Sequence, residues 1–145
     1  MTNKKSGKDK KIEELENNWK RALADYKNLQ TRFDEEKKQI GFLANEILIS
    51  SLLPILDSME KGNEINKDEG LISTYKEFKK VLVTAGLEEI NSDNKTFDPN
   101  QMEAVEPVPG KKNQVIKTVS KGYLLNGKLI RPARVCVGLG KMEGK

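Results

Sequence analysis

The residue types that carry most enzyme chemistry are sparse in this sequence. It contains no histidine, so imidazole acid–base catalysis and histidine-ligated metal sites are excluded. The single cysteine, Cys136, cannot form a disulfide within the chain or a cysteine-based zinc site. Because Cys136 alternates with Val135 and Val137, we predict a strand thiol with a packing role.

Two glycine motifs and one pair of carboxylates are the remaining candidates for reactive groups. The run PGKK at 109–112 lacks the earlier glycine and the following Ser or Thr of a phosphate loop, and predicts a polar turn. The run GLG at 138–140 has no third glycine and no following helix, and predicts a flexible end. Asp98 and Glu103 are two nearby carboxylates, but turn chemistry accounts for Asp98. We therefore predict no catalytic, cofactor-binding or metal-binding residues and no enzymatic activity.

The charge is distributed unevenly along the chain, although the formal net charge is only +4. Thirteen acidic and six basic residues lie between Glu46 and Glu106. From Lys111 onward there are nine basic residues and one acidic residue, Glu143. The C-terminal part is therefore expected to favour an acidic partner, either a protein or a nucleic acid.

The first third of the chain has an apolar residue every three or four positions, interrupted only at Glu36. This spacing is that of the a and d positions of a heptad, and it predicts a long helix with one narrow apolar seam. A domain this small has no surface that would cover a seam roughly 50 Å long, so a second copy is the expected partner. The predicted dimer seam consists of Ile12, Leu15, Trp19, Ala22, Tyr26, Leu29, Phe33, Ile40, Leu43 and Ile47.

A wider apolar band over residues 47–59 predicts helix packing with more than one neighbour. Gly62-Asn63 is predicted to end this helix, and a second helix is predicted from Leu71 to Val83, with Gly86 as its stop signal. Two such helices from each of two chains would form a dimeric four-helix bundle.

The remainder of the chain has the composition of β-structure. Residues 115–119 and 134–137 are rich in β-branched side chains. Asn126-Gly127 between two apolar runs predicts a hairpin, since both residues adopt positive φ. Pro107, with the other prolines of this part, is expected at a strand edge or bulge.

These elements predict an α+β chain with a long N-terminal coiled-coil helix, short helices in a dimeric four-helix bundle, and a compact C-terminal all-β domain. The predicted regions are a disordered basic tail (1–11), the coiled-coil helix (12–47), the helical bundle or dimerisation region (48–90) and the β-domain (91–145). No uninterrupted apolar run approaches the length of a membrane span, and no targeting segment is recognisable. We therefore expect a cytoplasmic protein without a membrane partner.

Four motifs carry a resemblance to a known family. They are RALADYKNL at 21–29, LLPILDSMEK at 52–61, FDPN at 97–100 and KGYLLNGKLIRPA at 121–133. In this order, and over about residues 20–141, the chain resembles the GrpE family, the nucleotide exchange factors of bacterial and organellar Hsp70 chaperones. The resemblance implies a homodimer that binds the ATPase domain of an Hsp70 (DnaK) and promotes ADP release.

The resemblance also implies which positions contact the chaperone. In the bundle these positions fall near Lys61 and Glu64, and in the β-domain they fall near Val119, Lys128 and Val137. Gly86 matches a family glycine at the joint between the helical and β parts.

Two other functions compete with this interpretation. A coiled-coil dimer with a basic C-terminal module is also expected of a nucleic-acid-binding protein. Nucleic-acid platforms usually interleave basic residues with exposed aromatics, and Tyr123 is the only aromatic residue after Lys111, so this function ranks second. A purely structural dimeric scaffold is the third possibility.

Overall fold

The computed structural model describes residue 4 and residues 6–140, which form two helices followed by six strands. The helices are α1 (Gly7–Asn66) and α2 (Glu69–Thr84). The strands are β1 (Leu87–Glu89), β2 (Met102–Val108), β3 (Val115–Ser120), β4 (Tyr123–Leu125), β5 (Lys128–Arg131) and β6 (Ala133–Gly138). The predicted α+β class, with a long helix first and the β part last, is confirmed.

Helix α1 begins inside the segment that the sequence assigns to a disordered tail over residues 1–11. The Asp9 amide donates to Ser6 Oγ (3.3 Å), and the Ser6 amide donates to the Asp9 carboxylate (3.2 Å). This reciprocal arrangement satisfies amides that the first turn of a helix leaves unpaired, so the helix starts at Gly7. Residues 1–3 and 5 of the predicted tail lie outside the described residues.

The end of α1 also differs from the prediction, because the helix continues through Gly62-Asn63 to Asn66. A Cβ at Gly62 would lie 3.3 Å from Leu71 Cδ2, so the missing side chain allows α2 to approach α1 closely. Lys67 then adopts a left-handed conformation (φ 43°) and ends the helix. The next residue, Asp68, caps α2 by accepting the Leu71 amide at 3.0 Å.

The predicted stop at Gly86 is confirmed. The Gly86 amide donates to the Val83 carbonyl at 3.0 Å, and φ of Gly86 is +105°. Strand β1 follows directly, inside the region that the sequence assigns to helices (48–90). A three-residue strand is too short to show an alternation pattern, which is why β1 was not predicted.

The strands form two three-stranded sheets. The first has the order β1-β4-β5 and is antiparallel throughout. The second has the order β2-β6-β3, with β2 parallel and β3 antiparallel to the central β6. Pro107 lies in β2, an edge strand, as its missing amide requires.

Two glycine-containing segments, at 126–127 and 138–140, were predicted to form a hairpin and a flexible end. Asn126 (φ 49°) and Gly127 (φ 83°) join β4 to β5 as the predicted hairpin. The flexible end predicted at 138–140 is wrong. Gly138 closes β6, the Leu139 amide donates to the Val108 carbonyl (3.0 Å), and the Gly140 amide donates to the Gly110 carbonyl (2.9 Å). These hydrogen bonds anchor the segment to the loop after β2.

The chain divides into two compact units, at Ala44 and Asn45 within α1. In the second unit, one core joins the helices to the first sheet through buried Ile49, Leu53, Leu56, Leu82, Leu87, Tyr123 and Leu125. A second core lies on the second sheet and contains Ile90, Met102, Val115, Ala133 and Val135.

Helix α1 contains one stretch that is long and apolar enough to cross a membrane by length and composition. The sequence prediction considered only uninterrupted apolar runs and therefore missed this stretch, whose average remains high across isolated polar residues. Ile49, Leu53 and Leu56 of α1 are buried in the first core, so the protein itself covers one face of the helix there. One such helix is weak evidence for a membrane span.

Candidate partner-binding surface

A groove lies between the last turns of α1 and strand β3. Its walls come from α1 between Asp57 and Glu64, from residues 89–94 at the end of β1 and just beyond it, and from residues 116–121 of β3 and the position after it. The cavity volume is about 580 Å³. Three of the five predicted partner contacts line this groove: Lys61 and Glu64 on α1, and Val119 on β3.

The other two predicted contacts lie elsewhere in the β-domain. Lys128 begins β5, and its exposed ammonium lies 2.8 Å from the Glu46 carboxylate of α1. Val137 is half-buried in β6 and packs against the second core. The structure therefore brings together the two bundle positions and Val119, while Lys128 and Val137 are not part of the groove.

The position of Gly86 depends on the absence of a side chain. Its φ of +105° is one that other residues rarely adopt. A Cβ at this position would lie 2.1 Å from Oδ1 of Asn126, in the β4–β5 hairpin. The Asn126 amide also donates to the Gly86 carbonyl at 3.0 Å, so the joint between α2 and β1 packs directly against the hairpin.

Lys121, just after β3, joins three elements at the groove. Its ammonium is ion-paired with Glu60 of α1 and lies 3.2 Å from a carboxylate oxygen of Glu89 at the end of β1. The second oxygen of Glu89 lies 2.7 Å from the ammonium of Lys79 in α2. Four charges of alternating sign thus connect both helices to the first sheet.

Arg131 makes a second connection between the β-domain and α1. Its guanidinium donates two hydrogen bonds to the carboxylate of Asp57, at 2.7 and 2.9 Å. It also donates to the Lys121 carbonyl through Nε at 2.9 Å and Nη2 at 2.6 Å. Its Cζ atom lies 5.3 Å from the centre of the Tyr123 ring. Paired donation of this kind fixes orientation as well as distance.

The surroundings of Lys121 and Glu89 favour the charged forms of both side chains. Burial lowers the pKa of the Lys121 ammonium, but the hydrogen bonds and charges of Glu60 and Glu89 outweigh burial and raise the pKa above its usual value. Burial likewise raises the pKa of the Glu89 carboxyl, but the hydrogen bond from Lys79 and the charge of Lys121 bring the net pKa below its usual value. Both residues are therefore held as ions near neutral pH.

Sequence reasoning missed Asp57, Glu60, Glu89, Lys121 and Arg131. A signal was present for two of them, because Asp57 and Glu60 are carboxylates three residues apart at the edge of the apolar band of α1. Their basic partners are 74 and 61 residues away in sequence, so spacing gives no indication of the pairing.

The groups considered for catalysis have ordinary structural surroundings. Cys136 is buried. Asp98 accepts the Asn100 amide at 2.9 Å in a turn, and Glu103 is exposed on β2. Within residue 4 and residues 6–140, no group of three metal-ligating side chains is assembled.

The basic charge of the C-terminal part is partly neutralised within the protein. Lys121, Lys128 and Arg131 are each ion-paired with a carboxylate of α1. A nucleic-acid surface needs cations that are free to contact phosphates, so this pairing weakens the second functional interpretation.

The predicted dimer seam on α1 is exposed to solvent in the single chain. Nine of its large apolar side chains are between 54% and 68% exposed in the single chain. These nine are Ile12, Leu15, Trp19, Tyr26, Leu29, Phe33, Ile40, Leu43 and Ile47. A row of exposed large apolar side chains on one helix is typical of an interaction surface.

A long helix with an exposed apolar seam, followed by a basic β-domain carried on the helices by ion pairs, defines a protein of the binding and assembly class. The GrpE family model matches residues 2–138. The chain belongs to the GrpE family.

Similar proteins come from bacteria and from a mitochondrion. Protein GrpE of Clostridioides difficile (strain 630) is 38% identical over 135 residues, covering 87% of this chain and 66% of that protein. Protein GrpE of Campylobacter curvus is 34% identical over 141 residues, covering 89% and 78%. The mitochondrial GrpE protein homolog of Schizosaccharomyces pombe is 37% identical over 159 residues, covering 97% and 71%. The chain thus spans roughly two thirds to four fifths of the length of these relatives.

Proposed function

We propose that the protein is a homodimeric co-chaperone that binds the ATPase domain of an Hsp70 chaperone (DnaK) and promotes ADP release. The observation that carries this proposal is membership of the GrpE family, because the match runs through both helices and the β-domain. In this role the protein performs no covalent chemistry. Cytoplasmic residence stays a prediction, since the relatives include a mitochondrial protein.

The exposed apolar side chains of the helices support the dimer. The seam on α1 lies open to solvent in the single chain, and a second copy supplies a seam of the same length and spacing. Beyond the seam, Ile55 on α1 and Val81 and Val83 on α2 are more than half exposed. These side chains suit the packing of two helices from each copy in a four-helix bundle.

Promotion of ADP release requires a difference in affinity between two states of the chaperone. The dimer must bind the opened nucleotide cleft more tightly than the closed cleft, because a ligand shifts an equilibrium only by its differential affinity. By reciprocity, bound nucleotide weakens the complex by the same factor. The groove suits this role because it presents Lys61 and Glu64 of a helix beside Val119 of a strand, so that two elements contact the chaperone together.

Release of fluorescent ADP from a cognate Hsp70, followed by stopped flow, tests the proposal. We expect the full chain to accelerate release at least tenfold at one dimer per chaperone. Val119→Asp should raise the concentration needed for half-maximal acceleration on the order of tenfold, as for a central interface residue. Leu139→Asp is the matched control, because Leu139 and Val119 are 48% and 49% exposed and Leu139 lies outside the groove.

Two results would count against the proposal. Binding of the chain to the chaperone without faster ADP release would reject the exchange function. Equal effects of Val119→Asp and Leu139→Asp would reject the groove as the contact surface.

A further inference from the structure

The ion pairs that join the β-domain to α1 lie next to the predicted chaperone contacts of the groove. Asp57 and Glu60 are separated by one helical turn and form the side of the groove on α1. Lys61 and Glu64 follow on the same helix, and Val119 on β3 stands two residues before Lys121. The connections Asp57–Arg131 and Glu60–Lys121 therefore lie where they set the distance between Val119 and the α1 contacts.

The two connections differ from ordinary surface ion pairs. Each of the four side chains is between 23% and 32% exposed, whereas the side chains of the pair Lys11–Glu14 on α1 are 65% and 61% exposed. Arg131 donates four hydrogen bonds to two acceptor groups, the carboxylate of Asp57 and the backbone carbonyl of Lys121. The guanidinium thus fixes both Asp57 and the chain segment that carries the Lys121 ammonium.

We propose that Arg131 is a positioning residue, which holds the β-domain at a fixed distance from the end of α1 so that Val119 and the α1 contacts meet the chaperone together. This inference rests on the proposed function. A groove whose walls are already held in place loses less conformational freedom on binding, so more of the interaction energy is available to favour the open cleft. Arg131 does not line the groove, and it does not itself contact the chaperone in this proposal.

A distance measurement on the free protein tests the positioning role directly. Spin labels are attached at Ser58→Cys on α1 and Lys117→Cys on β3, both exposed positions, in a Cys136→Ala background. The labelled chain is mixed with a tenfold excess of unlabelled chain, so that only distances within one chain are recorded by pulsed electron paramagnetic resonance. We expect Arg131→Gln and the isosteric Asp57→Asn to widen the distance distribution at least twofold.

The conservative variant and a matched control separate positioning from general damage. Arg131→Lys keeps the charge but not the four donors, so we expect an intermediate width. Arg134→Gln removes an exposed arginine of β6, for which the described structure shows no ion pair, and should leave the width unchanged. An unchanged width in both Arg131→Gln and Asp57→Asn, with circular dichroism matching the parent, would overturn the proposal.

The ADP-release assay connects the distance to function. At saturating concentration, Arg131→Gln should lower the maximal release rate about tenfold, while Arg134→Gln retains the parent rate. A wide distance distribution with an unchanged maximal rate would overturn the role in exchange. If the parent chain itself fails to accelerate release, the proposed function fails, and the distance measurement still decides whether Arg131 positions the β-domain.

Discussion

The joint at Gly86 provides a prediction that separates backbone strain from steric conflict. Gly86→Ala adds a Cβ at φ +105°, where it would lie 2.1 Å from Oδ1 and 2.8 Å from Cγ of Asn126. Gly127→Ala adds a Cβ at φ +83°, where no atom lies within 4 Å. Both substitutions place alanine in an unfavourable backbone conformation, but only the first also displaces a neighbouring side chain.

The expected cost follows from these two contributions. A residue other than glycine at such a φ costs about 1–3 kcal/mol. Forcing the Asn126 side chain away from its observed position adds about 0.5–1.5 kcal/mol, the cost of an unfavourable rotamer. We therefore expect Gly86→Ala to lower the free energy of unfolding by about 1.5–4.5 kcal/mol, and Gly127→Ala, which lacks the steric contribution, by about 1–3 kcal/mol.

A double-mutant cycle measures the steric part alone. Asn126→Gly removes the obstructing side chain and tolerates the local φ of 49°. In urea unfolding at fixed protein concentration, Gly86→Ala should cost about 1 kcal/mol less in the Asn126→Gly background than in the parent. The larger Gly86→Asp should also weaken binding to Hsp70 in a pull-down while leaving the dimer intact.

Absence of coupling would contradict this reasoning. If Gly86→Ala costs the same with and without the Asn126 side chain, the hairpin does not restrict the joint. If Gly127→Ala lowers the free energy of unfolding by as much as Gly86→Ala, backbone strain alone accounts for both losses and the contact with Asn126 contributes nothing.

Two further predictions concern the seam and the charges. Leu29→Asp should raise the dimer dissociation constant at least a hundredfold in sedimentation equilibrium, because each copy loses about 1.5–3 kcal/mol of apolar burial. Gln30→Asp, one position off the seam, is the control. An unchanged dissociation constant for Leu29→Asp would refute the seam. The pKa of Glu89 is lowered, so its carboxylate stabilises the fold above its ordinary pKa of 4.5, and this stability is lost as pH falls through the lower folded pKa. The stability difference between the parent and Glu89→Gln should therefore shrink below pH 4.5 in urea titrations, and a difference that persists to pH 2 would contradict the assignment.

Local patterns predicted the elements whose cause is local. The apolar spacing of α1, the stop at Gly86 and the hairpin at Asn126-Gly127 each depend on residues within a few positions of one another, and all three occur in the structure. The start of α1 had such a signal as well. Ser6 and Asp9 form a reciprocal cap, but the prediction of a disordered tail rested on the lysine-rich composition alone.

The remaining features depend on residues far apart in sequence. Strand β2 contains Pro107 and shows no clean alternation of buried and exposed residues. Its extended conformation is stabilised by pairing with β6. The partners of Asp57 and Glu60 come from β5 and from the segment after β3, and only the folded chain brings them together. The family resemblance pointed to three side chains that line the groove. It did not point to the ion pairs that join the walls of the groove.

The central place of β6 in the second sheet has a consequence for biogenesis. Both of its neighbours, β2 and β3, precede it in the chain and have no other described strand beside them. The second sheet therefore cannot close until β6 has been synthesised, whereas both helices precede every strand in the chain. The exposed seam of α1 is thus present in the chain, and open to contact with another helix, before the second sheet is able to form.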